Sequence, residues 1–163
     1  MHLSNVGEIH GLSELVEAVR RIPFEVWTYR LDPESDKTRV VRENSPAFPL
    51  SLVLQVTEQA AQYLGEGYSN RMVLSCVPAG EGILPHRDDF GADVRNRSYH
   101  CHVPVVTAPE AVMGFPQLGV EEHLEFGKLY VMDESHIHYV KNPSAIDRVH
   151  LLFAWFPHKG KNV

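Results

Sequence analysis

The feature that most constrains the fold is a series of short apolar or alternating runs in the second half of the chain. Five such runs follow residue 69, and clusters of glycine, proline and aspartate separate them. They occupy residues 71–77, 99–106, 128–132, 136–141 and 148–156. Runs of this length and spacing are typical of strands in an antiparallel sandwich or jelly roll.

The first part of the chain has a different pattern. Apolar residues at helical spacing predict two amphipathic helices, one around residues 12–19 and one around residues 52–63. Aromatic and β-branched residues at 24–31 predict a strand, and the charged, proline-containing segment 32–49 predicts a long loop. We therefore expect a mainly β fold with flanking helices that brace one face of a β-sandwich.

The length of 163 residues, with 44% apolar and 22% charged residues, is typical of one globular domain. We expect a single domain over residues 1–163, with neither internal repeats nor low-complexity segments. Residues 1–70 would supply the supporting helices and a strand, residues 71–156 the jelly-roll core, and residues 157–163 a solvated tail.

Composition also bears on partners and location. The formal net charge of −6 argues against general binding to nucleic acid. The sequence lacks both an apolar run of about 18 residues and a basic, then apolar, N-terminal segment, so we expect a soluble cytoplasmic protein without a membrane partner. Cys76 and Cys101 lie in apolar runs outside any CxxC pair, and are expected to be buried free thiols.

The ten histidines are concentrated in one region, since six of them fall between His86 and His138. His86 and Asp88 are two residues apart, so on an extended chain their side chains point to the same face. His138 is the best candidate for a third ligand; His136 shares its strand face but lies one pleat earlier, nearer the rim. Two histidines and one carboxylate form the ligand set expected of non-haem Fe(II) oxygenases. The alternative for the His86–Asp88 pair alone is a solvated loop.

An arginine opens the last apolar run. Arg148 stands ten residues after His138 and directly before the apolar segment 149–155. A guanidinium at the start of a buried strand is costly unless it faces an anion. The distal carboxylate of 2-oxoglutarate would supply one. The alternatives are an ion pair with Glu134 or Asp147, or extension of the side chain to solvent.

These residues together resemble the aspartyl/asparaginyl β-hydroxylase-like group of 2-oxoglutarate oxygenases, which includes bacterial hydroxylases of free amino acids. The resemblance runs from about residue 71 to residue 156. Four pieces carry it in the family's order: residues 85–88, residues 102–105, residues 127–135, and the group of His138, Asn142 and Arg148. The combination is far more specific than any one piece.

The resemblance implies a double-stranded β-helix, which is the jelly roll of this oxygenase type. It implies Fe(II) held by His86, Asp88 and His138, and 2-oxoglutarate bound by Arg148 with contributions from Ser75 and His102. The implied reaction uses O2 to hydroxylate a substrate C–H bond, with succinate and CO2 as co-products.

The chain departs from the family at one position. Many members have an arginine two residues before the histidine that matches His102, whereas this chain has His100. We expect His100 or Arg97 to replace that contact to a cofactor carboxylate.

The segment after the first ligand motif, residues 89–97, is predicted to be a loop that carries Arg95 and Arg97. These arginines would bind a substrate carboxylate, so we expect a small carboxylate-bearing substrate, an amino acid or a peptide side chain. The alternative is that both are solvated surface residues.

Two other classes of protein compete with this interpretation. A cupin-type metalloprotein would use His100 and His102 as ligands, but the glutamate that it needs shortly afterwards is replaced by Val106 or Thr107. A non-catalytic β-sandwich binding module would keep its histidines for packing. Binding of Fe(II) and a requirement for 2-oxoglutarate distinguish the three.

Overall fold

The computed structural model describes residues 2–34, 36–88 and 92–159, and strands dominate this part of the chain. The strands are Leu3–Glu8 (β1), Thr28–Tyr29 (β2), Arg39–Arg42 (β3), Gly67–Val77 (β4), Gly82–His86 (β5), Tyr99–Val106 (β6), Val112–Phe115 (β7), Val120–Glu122 (β8), Lys128–Met132 (β9), His138–Lys141 (β10) and Arg148–Pro157 (β11). The α-helices are Leu12–Arg20 (α1), Leu50–Thr57 (α2), Ala61–Leu64 (α3) and Ala92–Arg97 (α4), and single 3-10 turns cover Phe24–Val26 and Glu58–Ala60.

The strands form two antiparallel sheets. The larger has seven strands in the order β1-β9-β6-β11-β4-β3-β2, and the smaller has four in the order β5-β10-β7-β8. Apolar side chains from both sheets meet in a shared core that includes Val77 and Met132 from the larger sheet and Met113, Phe115 and Val140 from the smaller. The predicted mainly β sandwich with flanking helices is therefore confirmed.

Strand alternation gives the larger sheet two different faces. In β4, Leu74 and Cys76 belong to the apolar core beneath the helices, whereas Ser75 between them lines a cavity on the opposite side. In β11, Leu151 likewise faces the apolar core and His150 lines the cavity. Because successive side chains in a strand point to opposite faces, one sheet supplies both the main core and a polar wall.

The helices cover the apolar face. Helix α1 buries Leu12, Leu15 and Val19, and α2 buries Val53 and Val56 against the same core. Full burial of each such side chain stabilises the fold by about 1.5–3 kcal/mol. This packing fixes the larger sheet as the rigid base for the opposite, polar face. No helix in the described ranges is both long and apolar enough to cross a bilayer.

The predicted elements agree with the structure best where the apolar pattern is strongest. The predicted strands at 99–106 and 128–132 coincide with β6 and β9, and the predicted strand at 148–156 is β11. Cys76 and Cys101 are buried thiols that form no disulfide within the described residues, as expected.

Other predicted elements need correction. Residues 24–31 form a 3-10 turn and the two-residue β2, and the segment 32–49 contains β3 in place of an unbroken loop. The predicted loop 89–97 contains α4, while residues 89–91 lie outside the described residues, as do residues 160–163 of the expected tail. Strands β1, β5, β7 and β8 were not predicted, because they are short and lack a sustained apolar pattern.

A buried asparagine joins the strands that carry the candidate site. Asn142 is 1% exposed, and its Nδ2 donates to the carbonyl oxygens of Val77 at 3.0 Å, Pro78 at 3.1 Å and Ile146 at 2.9 Å. The contacts tie the end of β10 to the end of β4 and to the turn before β11. They therefore set the start of β11, where Arg148 lies, relative to β10.

We predict that Asn142→Ala lowers the free energy of unfolding by about 2–3 kcal/mol, because it removes the hydrogen bonds of a buried amide that joins three segments. Urea denaturation followed by circular dichroism measures the change. The control is Asn96→Ala, at an exposed position on α4, which should alter stability by less than about 0.5 kcal/mol. Equal stability of the two variants would show that Asn142 does not hold this junction.

Candidate metal centre and adjoining cavity

His86, Asp88 and His138 are brought together by the pairing of two short strands. His86 ends β5 and His138 begins β10, and the antiparallel register sets the two residues directly opposite each other. Their ring centroids are 4.4 Å apart. Asp88 lies two residues after the end of β5, and its carboxylate faces both imidazole rings.

The donor atoms of these residues converge. One ligand atom from each of the three lies within 4.8 Å of the others. His86 Nε2 is 3.5 Å from Asp88 Oδ1, and His138 Nε2 is 3.5 Å from Asp88 Oδ2. Two imidazole nitrogens and a carboxylate on one side of a common point form the ligand set of a non-haem Fe(II) site.

The hydrogen bonds of the two imidazoles fit a metal ligand. His86 Nδ1 lies 2.8 Å from the carbonyl oxygen of Leu84, and His138 Nδ1 lies 3.2 Å from that of His136. A carbonyl oxygen only accepts, so each Nδ1 carries the proton and each Nε2 has a free lone pair. Arg30 Nη1 donates to His86 Nε2 at 3.2 Å, which independently makes that nitrogen an acceptor. This tautomer binds a metal through Nε2.

The protonation states agree with this assignment. Burial opposes ionisation of Asp88, but the neighbouring groups of His86, His100 and His138 outweigh it and hold the pKa of Asp88 well below its usual range. Burial lowers the pKa of His138, and the charge of Asp88 opposes this only in part. A carboxylate and neutral imidazoles are the forms that bind a metal.

The metal-ligand group opens into a cavity of about 590 Å³ between the two sheets. Its buried part is polar and comes from the face of the larger sheet opposite the helices. Four side chains contribute to this part: Ser75, His102, Arg148 and His150. Strand register places His150 beside Ser75 on β4, and the ring centroids of His150 and His102 are 6.3 Å apart, so the polar groups form one continuous wall.

Arg148 is the charged group of this wall. Its side chain is 4% exposed, and Nη2 donates to His150 Nδ1 at 3.1 Å. Burial lowers the pKa of Arg148 to about 9, which leaves it protonated at neutral pH. Within residues 2–34, 36–88 and 92–159, neither Glu134 nor Asp147 nor any other carboxylate forms an ion pair with Arg148.

The two histidines of β6 lie in different places. His102 lines the cavity, and in the described part of the chain neither of its ring nitrogens has a hydrogen-bond partner. His100 lies behind the lining, with Nδ1 3.8 Å from Asp88 Oδ2 and 3.6 Å from Glu134 Oε1. His102 therefore faces the space where a ligand would bind, and His100 lies behind the candidate metal ligand Asp88.

The remaining predicted residues lie outside the cavity lining. Arg95 and Arg97 are exposed on α4, so their assignment to substrate stays a prediction without support from this geometry. His136 precedes β10, is half-buried and contacts Asp133 at 3.4 Å.

Three residues of the site were missed from the sequence. His150 follows Arg148 at strand period 2, and that alternation was a usable signal. Arg30, which lines the cavity, and Asp36, which pairs with it, lie between β2 and β3. Neither residue belongs to a sequence pattern that indicates the site.

Comparison with known families identifies the chain. The family model described as aspartyl/asparaginyl beta-hydroxylase matches residues 35–157. The chain belongs to the aspartyl/asparaginyl β-hydroxylase family. It is a 2-oxoglutarate-dependent dioxygenase of this family, and its cofactors are Fe(II) and 2-oxoglutarate. Comparison with curated protein sequences gave no match.

Solved structures share the fold. A prolyl-4-hydroxylase from Pseudomonas putida is 18% identical with a TM-score of 0.65, over 97% of this chain and 94% of that one. A viral collagen prolyl hydroxylase from Paramecium bursaria Chlorella virus-1, solved with 2-oxoglutarate, is 9% identical with a TM-score of 0.66, over 96% and 97% of the two chains. A non-haem α-ketoglutarate-dependent epimerase from nogalamycin biosynthesis is 15% identical with a TM-score of 0.68, over 96% and 78%.

These neighbours confirm the predicted double-stranded β-helix. The cupin alternative is not supported, because the group of convergent ligand atoms found in the described residues contains neither His100 nor His102. Membership of a family of oxygenases likewise weighs against a non-catalytic binding module.

We predict that His138→Ala weakens binding of Fe(II) by more than about 100-fold, because loss of even an outer partner of a metal ligand costs about 10–100-fold. His136→Ala should change the affinity by less than about threefold, since the His136 side chain lies outside the group. Anaerobic titration with Fe(II) measures both. The reverse order of effects would move the ligand from His138 to His136.

Proposed function

We propose that this enzyme hydroxylates a C–H bond of a small carboxylate-bearing substrate, an amino acid or a peptide side chain, and converts 2-oxoglutarate to succinate and CO2. His86, Asp88 and His138 are the proposed iron ligands. Arg148 is the proposed residue for the distal carboxylate of 2-oxoglutarate.

The observation that carries this proposal is the state of Arg148. A protonated guanidinium lies buried in the same cavity as the candidate metal ligands, and within the described residues it has no carboxylate partner. A buried charge of this kind is costly unless a ligand neutralises it. A dicarboxylate with one end at the metal and the other at Arg148 satisfies that requirement.

The chain's own residues place and enclose the cofactor. Arg148 would bind the distal carboxylate through two parallel N–H bonds, and His150 keeps the guanidinium oriented. His102 and Ser75 offer polar groups along the same wall. When bound, Fe(II) supplies the O2-dependent oxidation for which no amino acid side chain suffices.

The opposite wall of the cavity is apolar. Ile83, Met113 and Val140 line it from the smaller sheet, and Leu152 adds an apolar side chain beside His102 on the larger sheet. A dry cavity strengthens charge interactions inside it and protects a reactive centre from solvent.

The charges of the cavity favour an anionic substrate. Arg30, Arg42, Arg71 and Arg148 line it against two carboxylates, those of Glu43 and Asp88, although the whole chain has a net charge of −6. Arg42 and Arg71 are exposed and mark the outer rim, where substrate would enter. Concentration of positive charge in a cleft of an acidic protein raises the local concentration of anions.

The structural neighbours support an amino acid or peptide as substrate. Two of them are named for hydroxylation of prolyl residues, and one of these is a collagen prolyl hydroxylase. An amino acid or peptide substrate is consistent with this precedent and with the cavity volume of about 590 Å³.

The experiment that tests the function measures succinate. Protein loaded with Fe(II) and 2-oxoglutarate under anaerobic conditions is exposed to O2 with a panel of amino acids and short peptides, and each mixture is analysed for succinate and for a product heavier by one oxygen atom. Succinate and hydroxylated product in equal amounts support the proposal. Oxidation of nucleic acid alone would refute it.

We predict that Arg148→Gln weakens binding of 2-oxoglutarate by at least about 30-fold while the affinity for Fe(II) changes by less than about threefold, because the guanidinium serves the distal carboxylate and not the metal. Anaerobic calorimetry measures both constants. Arg20→Gln, at an exposed position on α1, is the control and should bind both ligands as the parent does. Parental affinity in Arg148→Gln would assign the carboxylate to another cation.

A further inference from the structure

One arginine reaches the metal ligands from outside the two facing sheets. Arg30 directly follows β2, the last strand of the larger sheet, and contacts His86 at the end of β5, the edge of the smaller sheet. Its Nη1 donates to His86 Nε2 at 3.2 Å. Arg30 therefore lines the cavity at a place where an edge strand of each sheet contributes a residue.

Asp36 holds this arginine in position. Arg30 Nε lies 2.9 Å and Nη2 2.8 Å from the same oxygen, Asp36 Oδ2. The Asp36 side chain is 7% exposed, and its other oxygen accepts the backbone N–H of Thr38 at 2.8 Å. Since Nε and Nη2 are both held, the guanidinium plane is fixed and Nη1 points toward the metal ligands.

Metal binding removes the acceptor of Arg30 Nη1. His86 Nε2 has a single lone pair, which a bound metal ion uses, so Arg30 can no longer donate to it. Arginine stays protonated and has no acceptor capacity of its own. The metal-loaded site therefore contains a fixed, partly buried donor beside a divalent cation.

Charge determines what would fill this position. Arg30 carries one positive charge, Asp36 offsets it from the side away from the metal, and a divalent ion adds repulsion from the other side. A neutral ligand would leave that repulsion in place. A carboxylate between the cations offsets it and accepts the N–H, which is the strongest pairing available to a guanidinium.

We propose that Arg30, oriented by Asp36, is a carboxylate-binding residue beside the metal, and that metal binding transfers its Nη1 from His86 to a bound carboxylate. This rests on the proposed function, which supplies the metal and the anionic ligands. Two carboxylates could be the acceptor of Arg30: the metal-side carboxylate of 2-oxoglutarate and the carboxylate of the substrate.

The test uses Arg30→Met, with the exposed Arg20→Met on α1 as matched control. Zn(II) replaces Fe(II), so no turnover occurs. The first measurement is calorimetric affinity for Zn(II) alone, and the second is affinity of the Zn(II) protein for 2-oxoglutarate. The third uses saturation-transfer NMR on the Zn(II) and 2-oxoglutarate complex with a mixture of the common L-amino acids, and with the same mixture as carboxamides.

We expect Arg30→Met to bind Zn(II) as well as the parent or up to about tenfold more tightly, because a competing donor and a repelling charge are removed. The affinity for one of the two carboxylate ligands, 2-oxoglutarate or the amino acids, should fall by at least about tenfold. A fall in 2-oxoglutarate affinity assigns Arg30 to the cofactor. Loss of the NMR signals of the amino acids assigns Arg30 to the substrate. The carboxamides should give no signal even with the parent protein.

Two results would overturn the proposal. One is parental behaviour of Arg30→Met in both carboxylate measurements, and the other is a weaker affinity for Zn(II), which indicates a structural role in the metal site. The double variant Arg30→Met/Asp36→Asn repeats the test without an unpaired carboxylate at Asp36, in case the single variant does not fold. Failure of the parent itself to bind Zn(II) and 2-oxoglutarate would instead refute the proposed function.

Discussion

The pairing of β5 with β10 places His86 opposite His138, and the rest of the site is arranged around that register. The pairing is irregular: Ile83 lies opposite Val140, so three steps along β5 correspond to two along β10. An extra residue of this kind redirects the side chains that follow it, and such bulges are frequent beside active sites. A slip of one residue would turn one imidazole out of the cavity, so the register itself specifies the metal ligands.

The polar wall opposite these ligands depends on the apolar core beneath the larger sheet. Arg148, His102 and His150 are each at most 4% exposed, and burial of such groups opposes folding. Leu74, Leu151 and the other residues of the helix-facing side supply the compensating apolar burial on the same strands. Burial also lowers the pKa values of His102 and His150, which keeps both imidazoles neutral next to the cationic Arg148.

The parts of the fold that could be predicted from the sequence are those with a pattern visible within one short segment. Strands β6, β9 and β11 are continuous and strongly apolar, and the spacing of His86, Asp88, His138 and Arg148 marked the group that the structure brings into one cavity. Strands β5, β7 and β8 of the smaller sheet were missed because runs of three to five residues give no periodic signal.

The same limit applies to the residues of the site. Arg30 and Asp36 were missed because a hairpin meets β5 only through tertiary packing. Arg95 and Arg97, although close to Asp88 in sequence, are exposed on α4 and lie outside the cavity lining.

The position of Arg30 separates the parts of the site along the chain. The family match covers residues 35–157 and includes the candidate iron ligands and Arg148, whereas Arg30 precedes it. The hairpin that carries Arg30 is attached at an edge of the larger sheet, where β2 pairs with β3 and not with β5, β10 or β11. Exchange of the β2–β3 hairpin between relatives is therefore a way to vary Arg30 and its surroundings while β5, β10 and β11, which carry His86, His138 and Arg148, are retained.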